Sequence, residues 1–470
     1  MTDQNDQFDR QLVEDLFARA RAAQKAYESE GSQARYDLAA KAVAWALMNE
    51  DRNRELATMA VAKTGLGNVA DKITKNHRKT LGLLRDLEAA KTQGIISSDP
   101  ATGITEIARP IGVIGAVVPS TNPVATPTNN VVNALKTGNA IVLSPSPRGV
   151  EVCERLVGYM RAELSRLGEN PDLVQFVPAP SSKVRTQRLM EVCDLIVVTG
   201  SQDNVRRGYS AGTPSIGVGA GNVSTIIDET ADLAAAARKI RLSKTFDNAT
   251  SCSSENGIIV VEAVRETFLA ALHAEGGRLL QGDEDRTLRK ALFANGKLNR
   301  HMIARNLQDM AGVAGVAVDE AARFLQVERS GIGTNHPETG EKLSLVSTLY
   351  SARDFDHAHQ IASQIMGVLG AGHSVGLHTA KRDRALALGQ SMPTCRVIVN
   401  QAHCFATGGS FDNGMPFSLS MGCGSWGGNS IDDNLNYRHF MNITKVVEPI
   451  PEVVPSADAL FAEYHAAVGD

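Results

Sequence analysis

"FDNATSCSSENGIIVV", residues 246–261, has a polar half and an apolar half. Its last four residues, Ile258–Val261, are apolar and β-branched with no polar alternation, which predicts a strand buried on both faces. Just before it, Cys252 sits among Ser251, Ser253 and Ser254, small side chains that leave a thiol reachable. The stretch "ADLAAAARKIRLSK" (231–244) upstream reads as helix. Helix, polar loop and buried strand together make one unit of a parallel α/β sheet. Most cysteines are inert core fillers. One in a polar loop is a candidate nucleophile, because a thiolate is favoured by backbone N–H groups and disfavoured by apolar packing.

The same texture extends in both directions. Strands are predicted at "IGVIGAVV", "NAIVLS", "LVQFV", "DLIVVTGS", "VSTIID" and "NGIIVV", then at "SLVSTLY", "HSVGLHT" and "RVIVNQ". Helical stretches such as "ERLVGYMRAELSRLG" (154–168) lie between them. Nine strands exceed one doubly wound domain, so two α/β domains are expected, dividing near residue 240. The first hundred residues read as helix, in "RQLVEDLFARARAAQKAYES" and "ARYDLAAKAVAWALMN". After residue 425 the chain thins to an edge strand and a tail. The expected division is residues 1–240, 241–425 and 426–470.

Composition excludes several classes. The formal net charge is −4 over 470 residues, without the basic surplus that nucleic acid or anionic membranes attract. No apolar run reaches a membrane span, and the polar N-terminus is no signal peptide. The six cysteines form no CxxC pair, which argues against zinc and disulfide frameworks and for a reducing cytoplasm.

Three further segments could carry chemistry. In "VVTGSQDNVRRGY" (197–209) a strand ends, Thr199, Gly200 and Ser201 turn the chain, and a helix begins. Its free N–H groups suit a pyrophosphate or simply receive a cap. In "VVPSTNPVATP" (117–127), Asn122 either caps a helix or aims its amide over the carboxyl edge of the sheet. "GCGSWG" (422–427) matches a dinucleotide fingerprint but neither follows a strand nor opens a helix, so a tight loop is expected.

Taken in order, "PSTNP", "NAIVLSPSPR", "VVTGS", "IGVGAGNVSTIIDETAD", "FDNATSCSSE", "GEKLS", "GAGHS", "RVIVNQ" and "GCGSWGGNS" resemble the aldehyde dehydrogenase superfamily, and more closely its CoA-acylating branch. The resemblance implies a Rossmann-like cofactor domain, an α/β catalytic domain and a small oligomerisation element, in a homodimer or homotetramer. It implies that Cys252 attacks the aldehyde and that Asn122 and the Cys252 N–H hold the oxyanion. Ser144, Arg148, Lys183, Thr199, Gly200, Ser201, Gly219 and Glu341 fall at cofactor-binding positions. Glu341, in "GEKLS", matches the glutamate that holds the nicotinamide ribose, and Leu343 replaces that motif's phenylalanine. Gly217 stands where hydrolytic members carry a glutamate base, and glycine cannot activate water. The acceptor implied is therefore coenzyme A, with His373 of "GAGHS" managing protons or CoA. Pro147 replaces a carboxylate that excludes a 2′-phosphate, so NADP is permitted beside NAD, with Arg148 and Lys183 to meet it.

The C-terminal half, with "NQAHCFATGGSFDNGMPFSLSMGCGSWGGNS", resembles most the succinate-semialdehyde and sulfoacetaldehyde enzymes. Both substrates are anionic, and Arg396, His403 and Thr407 are the expected donors. Sulfoacetaldehyde is the expected substrate. Succinate semialdehyde, acetaldehyde, a hydrolytic reaction and a nucleotide-binding scaffold without activity are the alternatives.

Overall fold

The computed structural model describes residues 2–294 and 296–469. Four helices open the chain, Thr2–Ser29, Gln33–Met48, Glu50–Thr64 and Val69–Leu87. Ser32, Asn49 and Asn68 cap the last three, each side-chain oxygen accepting a backbone N–H of the first turn. Helix does not fill the first hundred residues. The fourth helix ends at Leu87, and after a short loop Gly94, at φ 70°, opens the strand Gly94–Asp99. It pairs antiparallel with Ile104–Pro110, whose other edge takes Met441–Val447, the strand expected after residue 425.

Two parallel sheets form the body. The first runs, in spatial order, Val174–Phe176, Ala140–Pro145, Val113–Val118, Leu195–Val198, Ser215–Gly217. The second runs Gly277–Leu280, Phe324–Glu328, Val346–Ala352, Gly257–Val261, Ser224–Ile227, Val375–His378, Val397–Val399. The passage between sheets falls between Gly217 and Ser224. The Ser224–Ile227 strand, read with the first unit in a division near residue 240, pairs in the second sheet. Two strands of that sheet escaped the sequence reading, because Arg278 and Gln326 interrupt their apolar runs. One core joins the first sheet to the opening helices, and two others cover the faces of the second sheet. Among the described residues no helix is long and apolar enough to cross a membrane.

Candidate active site

The strand order of the first sheet reverses at Val113–Val118, whose successor in the chain lies on one side and Leu195–Val198 on the other. The carboxyl ends of such neighbours splay apart and leave a crevice. Here those ends release Pro119–Asn122 and Thr199–Ser201. The crevice belongs to a cavity of about 710 Å³, which these loops line together with Ser144, Pro147, Lys183 and Arg207. Across it, Cys252, Glu341 and His373 each lie a few residues before a strand of the second sheet, so the amino edge of one sheet faces the carboxyl edge of the other.

Buried amides fix these pre-strand loops. Asn256 donates to Asn222 Oδ1 (2.6 Å) and to the Gly340 carbonyl (2.8 Å), and its own oxygen receives the Lys342 N–H (3.1 Å). Asn222 donates to the carbonyls of Thr339 and Leu369. Gly221 lets the "GVGAG" loop press on the nucleophile loop: a Cβ there would fall 2.5 Å from Cys252 Cβ.

The Cys252 thiol is half-buried on the cavity wall, and burial beside Glu341 pushes it up to about 12. The Ser253 side chain and the Cys252 N–H of the polar loop act to lower the thiol, as the sequence suggests, but burial outweighs them. His373 Nε2 lies 3.3 Å from the Cys252 sulfur. His373 Nδ1 meets Ser374 Oγ at 2.8 Å, and Ser374 Oγ meets His403 Nε2 at 2.9 Å. Burial, with Arg396 nearby, lowers His373 to about 3, so the imidazole is neutral. The pair is thus a thiol beside a neutral base, and the proton can leave sulfur only as a new bond forms to it.

Asn122 does not cap the helix that follows, Ala125–Lys136, which has no side-chain cap. Lys75 Nζ donates to Asn122 Oδ1 at 2.9 Å. An ammonium has only donors, so this contact fixes the amide's orientation and leaves its NH2 group for a ligand in the cavity. Lys75 also donates to Thr250 Oγ1 (2.9 Å) and to Asp247 Oδ2 (2.5 Å), which Lys72 shares at 3.0 Å. Burial works to raise the Asp247 carboxyl, but Lys75 and Lys72 overcome it and hold it below the usual carboxylate range. Asp247, Asn248 and Ala249 all have left-handed φ (50°, 53° and 60°), the bend that delivers Cys252 to the cavity. Lys72 and Lys75 were invisible as site residues in the sequence reading. The available signal was polar side chains in the same helical stripe as Leu83 and Leu87, which are buried.

The residues present fit a nicotinamide dinucleotide. Glu341 Oε1 is buried with no hydrogen-bond partner among the described residues, and burial pushes the Glu341 carboxyl up to about 8. An acceptor so placed suits a ribose hydroxyl. Ser201 caps the Gln202–Tyr209 helix through the Asn204 N–H, and Thr199, Gly200, Ser201 and Gly219 line the cavity beside that helix.

Several expected residues are not on the cavity. Arg396 is buried and spends its guanidinium on Asn434 Oδ1 (3.1 Å) and on the carbonyls of His373 (3.2 Å), Gly422 (2.8 Å) and Asp432 (3.3 Å). It braces the loops and offers nothing to a substrate anion. Thr407 is buried against the His403 carbonyl, and His403 belongs to the relay behind His373. Arg148 turns away to the Thr64 carbonyl at 3.3 Å, while Lys183 lines the cavity as expected. Gly217 lies behind the wall, where a Cβ would meet Val205 Cγ1 at 2.6 Å. "GCGSWG" is a tight loop, with Gly424 at φ 57° and a short 3-10 turn at Ser425–Gly427.

Residues 3–301 match the aldehyde dehydrogenase family. The chain is 53% identical over 464 residues to the acylating sulfoacetaldehyde dehydrogenase of Cupriavidus necator, covering 98% of this chain and 93% of that one. It is 41% identical to the acylating sulfoacetaldehyde dehydrogenase of Bilophila wadsworthia, covering 92% and 94% respectively. The crystal structure of an acetylating aldehyde dehydrogenase from Geobacillus thermoglucosidasius superposes with a TM-score of 0.92 at 33% identity, covering 96% of this chain and 99% of that one. A cysteine, an oriented amide and a neutral imidazole share a cavity that joins two parallel sheets, and the chain belongs to the aldehyde dehydrogenase family, in its acylating branch.

Proposed function

We propose that this protein oxidises sulfoacetaldehyde to sulfoacetyl-CoA, with NAD or NADP as oxidant and coenzyme A as acyl acceptor. One observation carries the reading: Cys252 and Asn122 line one cavity, His373 Nε2 lies 3.3 Å from the thiol, and Glu341 is the only acidic side chain on that cavity among the described residues. Cys252 sulfur attacks the aldehyde carbon while His373 Nε2 takes the thiol proton, and the oxygen receives the Asn122 NH2 group. Ser374 and His403 steady the imidazole through Nδ1. A nicotinamide bound in this cavity would supply the hydride acceptor, and the acyl group would stay on Cys252 as a thioester. Glu341 holds the nicotinamide ribose. His373 then serves the CoA thiol as it displaces Cys252, a thioester-for-thioester exchange close to balance.

Water competes poorly for that thioester, because no acidic side chain but Glu341, the ribose partner, lines the cavity among the described residues, and Gly217 lies behind its wall. Its side-chain direction runs into Val205 and Tyr209, so Gly217→Glu disrupts packing without gaining a base. At the adenosine end Pro147 presents no carboxylate to a 2′-phosphate, and Lys183 with Arg207 supplies positive charge. A homodimer or homotetramer is supported by the C-terminal tail, where Val453 is 86% exposed and Val454 76%.

Rapid mixing at saturating sulfoacetaldehyde and cofactor tests the assignment. Without CoA, one equivalent of reduced cofactor per Cys252 should form and then stall, and CoA should restore turnover with ping-pong kinetics. Sustained sulfoacetate release without CoA, at a comparable rate, sinks it.

A further inference from the structure

The helix Val69–Leu87 presents three lysines to the interior, Lys72, Lys75 and Lys79, at spacings that share one face. The first two divide Asp247 between them. The third has no carboxylate within ion-pair distance among the described residues. Lys79 Nζ donates to the carbonyls of Gly408 (2.5 Å) and Gly409 (3.3 Å) and lies 5.4 Å from the centre of the Phe417 ring. Asp86, the nearest acid on its helix, is occupied by Arg85 and by the Phe417 N–H. Lys79 is enclosed by protein except on the side where it lines the cavity of Cys252, Asn122 and His373. Burial brings its ammonium down to about 7; Cys404 opposes this, Arg78 and Lys75 add to it, and Asp86 gives a smaller relief. A cation so enclosed is costly unless an anion meets it.

We propose that Lys79 is the anion receptor of this cavity: its ammonium takes the charged group of the aldehyde substrate, while Asn122, held by Lys75 one helical turn back, takes the carbonyl oxygen. Four residues on a helix rise about 6 Å, which suits a short aldehyde with its carbonyl at one end and its anion at the other. Lys79 replaces Arg396, His403 and Thr407 in the role the sequence had suggested for them. The remaining lining near Lys79, Cys404, Gly408, Ser418, Leu419 and Met421, is uncharged, so no other cation on that wall competes for the anion. Gly408 permits the approach, since a Cβ there would fall 2.8 Å from Lys79 Nζ. The shared ligand chemistry is a small aldehyde bearing a sulfonate or a carboxylate. The inference rests on the anionic-substrate reading above.

The test measures kcat/KM of the wild type, Lys79→Met and Lys79→Arg with sulfoacetaldehyde, malonate semialdehyde and propionaldehyde, at saturating CoA and cofactor. Unreactive ethanesulfonate and propionate serve as competitive probes. Lys79→Met should lose roughly 10- to 100-fold on the anionic aldehydes, the worth of a hydrogen bond to a charged group, while propionaldehyde changes less than about threefold. Lys79→Arg should recover part of the loss. The arm with the larger loss, sulfonate or carboxylate, names the anion. Retained propionaldehyde turnover shows that the variant is folded; if Met fails to fold, Lys79→Gln, which keeps donors to Gly408 and Gly409, is read in the same way. An equal loss on all three aldehydes, or none, in an enzyme whose wild type prefers anions overturns the role of Lys79 and leaves the anionic-substrate reading intact. A wild type that prefers propionaldehyde overturns that reading and the receptor with it. Ethanesulfonate should inhibit the wild type at least tenfold more tightly than Lys79→Met, and equal inhibition counts against the receptor.

Discussion

The two flanks of Cys252 are held in opposite ways. On one, Asn122 is fixed by Lys75, which Asp247 fixes in turn, and Lys72 and the Asn68 N–H complete a charged clamp across three segments. On the other, His373 is fixed by Ser374 and His403 in a neutral relay. The difference matches what each flank must do. In the proposed mechanism Asn122 presents the same NH2 group throughout, and charges with one possible polarity prevent an amide flip. His373, in the same mechanism, accepts and returns a proton. Along imidazole, hydroxyl and imidazole each group can donate or accept, so the contacts persist when His373 gains a proton.

The largest effect should come from the atom both flanks serve. Cys252→Ala should abolish acyl-CoA formation while cofactor binding, followed by fluorescence titration, survives. Near-normal turnover would remove the reason for either flank. Next, His373→Ala should cost roughly 10²–10⁴-fold in kcat and Asn122→Ala roughly 10²–10³-fold. His373→Ala should also make the burst rate climb with pH toward 9, because attack then waits on the thiolate, and Asn122→Ala should not.

Smaller changes separate the clamps themselves. Lys75→Met should lower kcat on the order of 10- to 100-fold by releasing the Asn122 amide. Combined with Asn122→Ala it should cost little more than Asn122→Ala alone, since Lys75 acts through that amide. Additive losses would show that Lys75 works by another route. His403→Ala should cost about tenfold or less, because Ser374 still contacts His373 and water can take the vacated place.

Thiol chemistry gives a comparison without mutation. With Cys252 pushed up to about 12 and His373 lowered to about 3, the resting pair is neutral between them. Alkylation of Cys252 by iodoacetamide should therefore climb about tenfold per pH unit from 7 to 9, following the thiolate fraction. A plateau below pH 8 would mean that the His373 flank holds an ion pair after all. The smallest effect expected is at the adenosine end. Lys183→Glu should weaken NADP more than NAD, by roughly tenfold, and an equal change in both KM values would remove Lys183 from 2′-phosphate recognition.

Much of this was legible in the chain. The apolar runs identified strands of both sheets, because a strand buried on two faces has no polar alternation to blur it. Short ordered motifs marked Cys252, Asn122, Glu341 and His373, because each sits in a loop before or after a strand, where local sequence fixes local geometry. The wall proposed to take the substrate anion was not legible. Arg396, a cation near the right motif, is spent on carbonyl oxygens, and Lys79, in a helix more than 170 residues before Cys252, faces the cavity. Sequence determined which side chains could bond, ionise or attack. Only the tertiary structure decided which of them keep a free valence toward the cavity, because hydrogen-bond satisfaction and desolvation depend on neighbours brought together across the whole fold.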